Sequence, residues 1–234
     1  MNVDRSDTLK TRATPGPRVS MMIAPPGFGK THRALERWNA WPRGLAIDTK
    51  HQDRAIPPDY PGLEAWTPKE LADLLKRWQD RPRWKIVYRG PMTFPADRTK
   101  PDGLQSCEPV FRAVDELPDF LLQVDEAAKF CRPNYTPGMP DGGLFRIAHE
   151  GRTKGQAFTL CAQRAALLPV DMRSCAEELL AWCPRERSDF DWLKSVAIEP
   201  DELRALQSHD CVLIRTPPGL PTTKEVLASS SPLL

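Results

Sequence analysis

The octet Ala24-Pro25-Pro26-Gly27-Phe28-Gly29-Lys30-Thr31 is a glycine turn that ends in an amine and a hydroxyl, which is the Walker A spacing. Glycines let successive backbone N–H groups curl around an anion, and a helix opening at Lys30 adds the positive end of its dipole. Pro26, Gly27, Phe28, Gly29, Lys30 and Thr31 are therefore the candidate phosphate cradle. Lys30 would reach the β- and γ-phosphates of ATP, and the Thr31 hydroxyl would hold Mg²⁺. Ala24 stands where the motif has its first glycine. The bland alternative is a glycine turn that carries Lys-Thr by chance, and the strand-turn-helix context is what separates the two.

Phe120-Leu121-Leu122-Gln123-Val124-Asp125-Glu126 would complete such a site, because it is an apolar run that ends in two acids. Both carboxylates then emerge at the end of a buried strand. Asp125 is the candidate to orient the Mg²⁺ shell, and Glu126 the candidate base that polarises the attacking water. ATP hydrolysis is mostly positioning and charge stabilisation, so a base one residue beyond the metal acid has the reach it needs. The same pair would also serve as a plain helix cap. Gln163, in Ala162-Gln163-Arg164, ends a further apolar run, where its amide would report a γ-phosphate or simply be solvated. Gly151-Arg152-Thr153-Lys154-Gly155 is a tight basic turn. Arg152 is the candidate arginine finger for a neighbouring subunit's site, against the reading of a solvated loop or a DNA-phosphate contact.

For these groups to meet, the chain must build a parallel sheet that gathers strand ends on one edge. Short apolar runs do alternate with helical patterns: RVSMMIA (18–24), a helix from Lys30 to about Asn39, then GLAIDTK (44–50). Thr67-Pro68-Lys69-Glu70 is a capping box with proline at the first helical position, and Leu71, Leu74, Leu75 and Trp78 share one face of the helix it opens. WKIVYRG (84–90), FLLQVDEA (120–127), QAFTLCAQ (156–163), ELLAWC (178–183) and CVLIRT (211–216) read as strands. LFRIAHEG, DFDWLKSV and a segment opened by Pro200-Asp201 read as helices. A Pro-rich loop follows residue 90, RPNYTPGMPDGG (132–143) is also a loop, and the chain closes on a polar tail. The expected organisation is a polar arm over 1–17, a P-loop ATPase domain over 18–196 and a small C-terminal extension with its tail over 197–234. No internal repeat is visible.

The bulk numbers are compatible with one large α/β domain. The chain has 234 residues and a formal net charge of +2, from 33 Lys and Arg against 31 Asp and Glu, so any DNA contact must be local. Arg81, Arg83, Arg89, Arg98 and Lys100 flank one strand and its loop and are the candidate basic surface, if they are not simply solvated. The 25 prolines indicate stiff loops, not disorder. Cys107, Cys131, Cys161, Cys175, Cys183 and Cys211 form no C-x-x-C pair, which argues for buried thiols over a zinc or redox motif. The seven tryptophans, Trp38, Trp41, Trp66, Trp78, Trp84, Trp182 and Trp192, fall mostly on apolar faces and read as core more readily than as base-stacking platforms. No signal peptide and no apolar run of about 20 residues is present, so a soluble, intracellular protein is expected.

Taken together, the Walker A octet, GLAIDTK with Asp48 and Lys50, Val124-Asp125-Glu126-Ala127, the Gly151–Gly155 turn and Cys161-Ala162-Gln163-Arg164 resemble the FtsK–HerA superfamily of P-loop DNA pumps. The resemblance covers roughly residues 18–183. In build it is nearest to the genome-packaging ATPases of membrane-containing, tailless double-stranded DNA viruses, since no membrane anchor and no appended DNA-reading domain is evident. It implies a three-layer α/β fold whose mainly parallel sheet has an additional strand. It also implies a hexameric ring, hydrolysis between subunits, double-stranded DNA as partner, a possible capsid vertex protein, and a place in the host cytoplasm or the virion. Two rivals remain: a small-molecule P-loop kinase, against which Glu126 argues, and an assembly switch that binds ATP without processive hydrolysis.

Overall fold

The computed structural model describes residues 16, 18–48, 62–90, 110, 111, 113–130, 143–207, 209–216 and 218–229. Parallel strands covered on both faces must be largely apolar, and the six fully buried ones are, each with one buried polar or charged residue. Val19–Ile23 (β1), Arg43–Ile47 (β2), Trp84–Tyr88 (β4), Leu121–Val124 (β5), Ala157–Ala162 (β6) and Glu178–Ala181 (β7) are buried along their whole length. Gly62–Ala65 (β3), Cys211–Arg215 (β8) and Thr223–Leu227 (β9) are more exposed at one or more positions. Among the described residues they form one nine-stranded sheet in the order β3-β4-β2-β5-β6-β1-β7-β8-β9. Pairing is parallel from β3 to β7 and antiparallel for β7-β8 and β8-β9.

β6 lies between β1 and β5, so the additional strand separates the one that enters the glycine turn from the one that ends in Asp125. The registers Ile23↔Ala162 and Val124↔Leu160 bring the C-terminal ends of all three to a common edge. Alternation along β1 shows the layers. Val19, Met21 and Ile23 join the larger core, whereas Met22 and Ala24 join a second one on the opposite face. Lys30–Ala40 (α1) covers that second face through Ala34 and Trp38. Pro68–Trp78 (α2), Gly143–Glu150 (α3), Val170–Ser174 (α4), Arg187–Ser195 (α5) and Pro200–Arg204 (α6) all contribute to the larger core, for example through Leu71, Ile147, Met172, Leu193 and Leu203. The three-layer α/β architecture is as expected.

Local chemistry explains the element ends. The Thr67 hydroxyl accepts from Glu70 N at 3.1 Å, and the Glu70 carboxylate accepts from Trp66 N at 2.7 Å, so the capping box closes one residue outside its usual reach. At the other end of α1, the buried Lys85 donates to the carbonyls of Trp38 and Trp41 and lies 4.6 Å from the Trp38 ring, a cation where the helix dipole is negative. Trp38, Trp41, Trp84 and Trp182 are core residues, while Trp66 is half exposed. Cys161 and Cys211 are buried free thiols, and burial pushes Cys211 up to about 12. Cys175 and Cys183 are only partly buried.

The polar tail departs from expectation: Thr223–Leu227 is a strand that completes the sheet edge. Its side chains are too polar to signal burial, and it is held by the open backbone groups of β8 and by Arg215, which bridges Glu178 and Glu225. Gly143, placed in a loop by its neighbours, instead opens α3. Residues 1–15, the loop after Gly90, Lys50, Arg98, Lys100, Cys107 and Cys131 lie outside the described residues. No helix among the described residues is long and apolar enough to cross a membrane.

Candidate nucleotide site

The glycine turn links β1 to α1 as the octet requires. Gly27 and Gly29 both sit at φ 87°, in the left-handed region where a side chain would be strained, and Gly29 is the residue before the first turn of α1. The turn is fixed to the sheet by Ala24 N, which donates to Ala162 O at 3.2 Å. Lys30 is buried, and its Nζ donates to Ala24 O at 3.2 Å, which folds the amine back over the turn. Thr31 is exposed on the first turn of α1. Pro26 and Gly27 are exposed as well, and Phe28 packs against the second core, anchoring the turn.

Asp125 and Glu126 leave the end of β5 at the same edge of the sheet, with β6 between β5 and β1. Asp125 is 2% exposed, with Oδ1 accepting from Glu126 N at 3.2 Å. Its Oδ2 is buried without a hydrogen-bond partner. A buried carboxylate oxygen left without a donor is costly in a protein interior, and a hard cation resolves it. The residues therefore fit Mg²⁺, with Asp125 and the Thr31 hydroxyl as its protein-side groups. A site with a single carboxylate suits an ion that keeps most of its waters and takes the rest of its oxygens from phosphate.

Glu126 adopts φ 52° and ψ 44°, an unfavourable left-handed conformation for a residue with a side chain. The outcome is a meeting of two elements: Gln163 Nε2, just past β6, donates to Glu126 Oε1 at 2.6 Å. The acceptor is a carboxylate, so the amide nitrogen must be the donor. Lys30, Thr31, Asp125, Glu126 and Gln163 thus stand on one edge. Next to them the end of β2 carries Asp48, 1% exposed, whose carboxylate lies 3.2 Å from Arg89. Arg89 in turn meets Glu64 at 3.0 Å. Arg89 is therefore no part of an open basic surface; it is buried inside the fold, whereas Arg81 and Arg83 are exposed.

Arg152 is elsewhere. The turn Gly151–Lys154 precedes β6 and so lies at the edge where the parallel strands begin, across the sheet from Lys30. Arg152 donates to Glu177 at 2.6 Å, with its side chain 57% exposed. Glu177 also receives the backbone N of Arg18 at 2.8 Å. This arginine does not reach the glycine turn of its own chain.

No family model and no curated protein matches the chain. Solved structures do. The genome packaging NTPase B204 from Sulfolobus turreted icosahedral virus 2, in complex with ATP-gammaS, superposes with a TM-score of 0.60 at 13% identity, covering 90% of this chain and 96% of B204. Its sulfate complex gives 0.61 at 16% identity over 94% and 98%. B204, the DNA-packaging ATPase from Sulfolobus turreted icosahedral virus, gives 0.57 at 14% identity over 89% and 96%. The chain shares the fold of B204. The likeness to B204 is one of fold and runs over nearly the full length of this chain.

Several contacts around the site carried no signal in the sequence. The Asp48–Arg89–Glu64 cluster joins three strand ends far apart in the chain. Arg33, on α1 and 2% exposed, donates to Ala228 O at 2.6 Å and Ser229 O at 3.3 Å, which ties the C-terminal strand to the helix that starts at Lys30. His209 stands against Gly29.

Proposed function

We propose that the chain is a Mg²⁺-dependent ATPase that drives translocation of double-stranded DNA, as the motor of viral genome packaging. The observation that carries the hydrolytic part is the 2.6 Å contact of Gln163 with Glu126, beside the glycine turn and a partnerless Asp125 oxygen. A glutamate held by a neutral amide keeps its aim, which is what a base for an attacking water needs. In this reading the backbone N–H groups of residues 26–31 hold the phosphates, and Lys30 neutralises the β- and γ-oxygens. Thr31 and Asp125 would hold Mg²⁺, which would supply charge neutralisation at the phosphates. Glu126 takes the proton of the water, and Gln163 keeps the carboxylate turned toward it.

Translocation is supported by the fold shared with B204 and by the position of Arg152. We read Arg152, an exposed guanidinium at the opposite edge of the sheet from its own glycine turn, as serving the next subunit in a ring. The assembly proposed is a hexameric homo-oligomer around DNA, working at a capsid vertex in the host cytoplasm or on the virion. The test is phosphate release with and without double-stranded DNA, alongside the mass of the particle. Lys30→Ala is expected to lower turnover by about 100-fold or more, because it removes the fixed charge on the phosphates. Undiminished turnover in that variant removes the hydrolytic reading; turnover indifferent to DNA removes the motor.

A further inference from the structure

His209, in the turn before β8, is exposed, yet its backbone sits at φ 74°, a left-handed conformation unfavourable for a residue with a side chain. The surrounding contacts hold it there. Its carbonyl accepts from Nε1 of the buried Trp182 at 3.1 Å, Asp210 N donates to Gln207 O at 3.1 Å, and Asp210 Oδ1 accepts from Ser229 N at 2.9 Å. Arg33 grips the Ala228 and Ser229 carbonyls from α1, so the turn is tied to the helix that begins at Lys30. The imidazole consequently lies along the glycine turn: a Cβ built on Gly29 would stand 3.4 Å from His209 Cδ2.

Sheet order says which end of a nucleotide this ring would meet. Glu126 and Gln163 follow β5 and β6, on one side of β1, whereas Trp182 and His209 flank β7 and β8, on the other. If the γ-phosphate faces Glu126 and Gln163, a phosphate chain laid along the turn leaves its nucleoside on the β7–β8 side. A flat ring is held in a strained backbone at that place, and strain retained by several contacts marks a position the fold protects.

We propose that His209 is the wall of the nucleoside pocket, its imidazole stacking on the base of the bound triphosphate. This rests on the reading of residues 24–31 as a phosphate cradle and adds the element that recognises the rest of the nucleotide. The experiment is calorimetric binding of ATP and of inorganic tripolyphosphate, with Mg²⁺, to the full chain and to three variants. His209→Asn keeps a residue that tolerates the left-handed backbone, His209→Gly relieves it altogether, and Lys30→Ala is the control for the cradle. Both His209 variants are expected to weaken ATP about tenfold, the scale of one base–aromatic stack, and to leave tripolyphosphate unchanged. Equal weakening of both ligands, or unchanged ATP affinity, overturns the wall while leaving the cradle intact. A parent chain that binds neither ligand, or Lys30→Ala binding both as the parent does, overturns the cradle and the wall with it.

Discussion

Where the parallel strands begin, charges answer one another. Arg18 and Arg152 share Glu177, Lys154 lies near Asp115 and Glu116, and Arg146 meets Asp115. Where the strands end, the accounts stay open. Asp125 buries an oxygen with no donor, Lys30 has no carboxylate partner among the described residues, and Glu126 sits in a strained backbone. A polar group paired within the fold contributes to stability, whereas an unpaired buried one costs it. The two edges therefore differ: at the first the charges are paired within the fold, whereas at the second Asp125 and Lys30 have no such partner among the described residues, although Asp48 and Arg89 pair there. Substitutions at the first edge should cost stability, apart from Arg152, whose proposed role lies in a neighbouring site, and substitutions at the second should cost turnover.

The largest separation should come from Glu126→Gln. The amide keeps the shape and loses the base, so turnover should fall by about 100-fold or more while ATP still binds. Measured hydrolysis near the parental rate would move the base away from Glu126. The structure makes Asp48, engaged by Arg89, and Glu150, on the opposite edge, poor replacements.

Glu178→Gln probes the other edge. Glu178 is buried at the start of β7, where it accepts from Ser20 at 2.8 Å, meets Arg215 at 3.1 Å and stands 4.0 Å from Arg37. Burial pushes the Arg37 guanidinium down to about 10, so it is charged at neutral pH and needs this carboxylate. Removing the charge should lower the unfolding free energy by about 3 kcal/mol, as breaking a buried pair does. Denaturant melts read this, and the fraction that remains folded should still bind ATP. Unchanged stability would show that the strand-start edge is not held by its charges.

Gln163→Ala gives a smaller effect with a distinct signature. It removes the amide that aims Glu126, so kcat should fall about tenfold with KM and the melting temperature held. A change in KM alone would assign Gln163 to binding.

Arg152→Ala should have the smallest effect on the fold. With its side chain 57% exposed, the pair with Glu177 should contribute less than about 1 kcal/mol, so a melt should barely move. Turnover in the assembled ring should nevertheless be lost, and mixing these subunits with Glu126→Gln subunits under exchange should restore part of it. Demonstrated exchange without recovery removes the trans finger. Full activity of Arg152→Ala alone removes any catalytic role and leaves the arginine a member of the stabilising edge.

Much of this was legible from residue order. The octet ending in Lys30 and Thr31, the apolar run ending in Asp125 and Glu126, and the capping box at Thr67 each depend on neighbours within a few positions. Local spacing sets backbone shape there, so turn, strand end and helix start appear where the sequence places them. The buried strands were equally plain, because two covered faces demand continuous apolar runs.

Only the tertiary structure decided which groups meet. That β6 slides between β1 and β5 is what carries Gln163 to Glu126, and sequence separation gives no hint of a 2.6 Å contact. Arg89 reads as a surface charge until the sheet sets it beside Asp48, and Thr223–Leu227 reads as a tail until β8 offers it an unpaired edge. His209 was silent for the same reason: a single histidine has no periodicity, and its place against Gly29 arises only when the C-terminal strands close on α1. Short-range patterns report what one segment prefers, while a site assembled from the ends of several strands depends on the order in which the sheet stacks them.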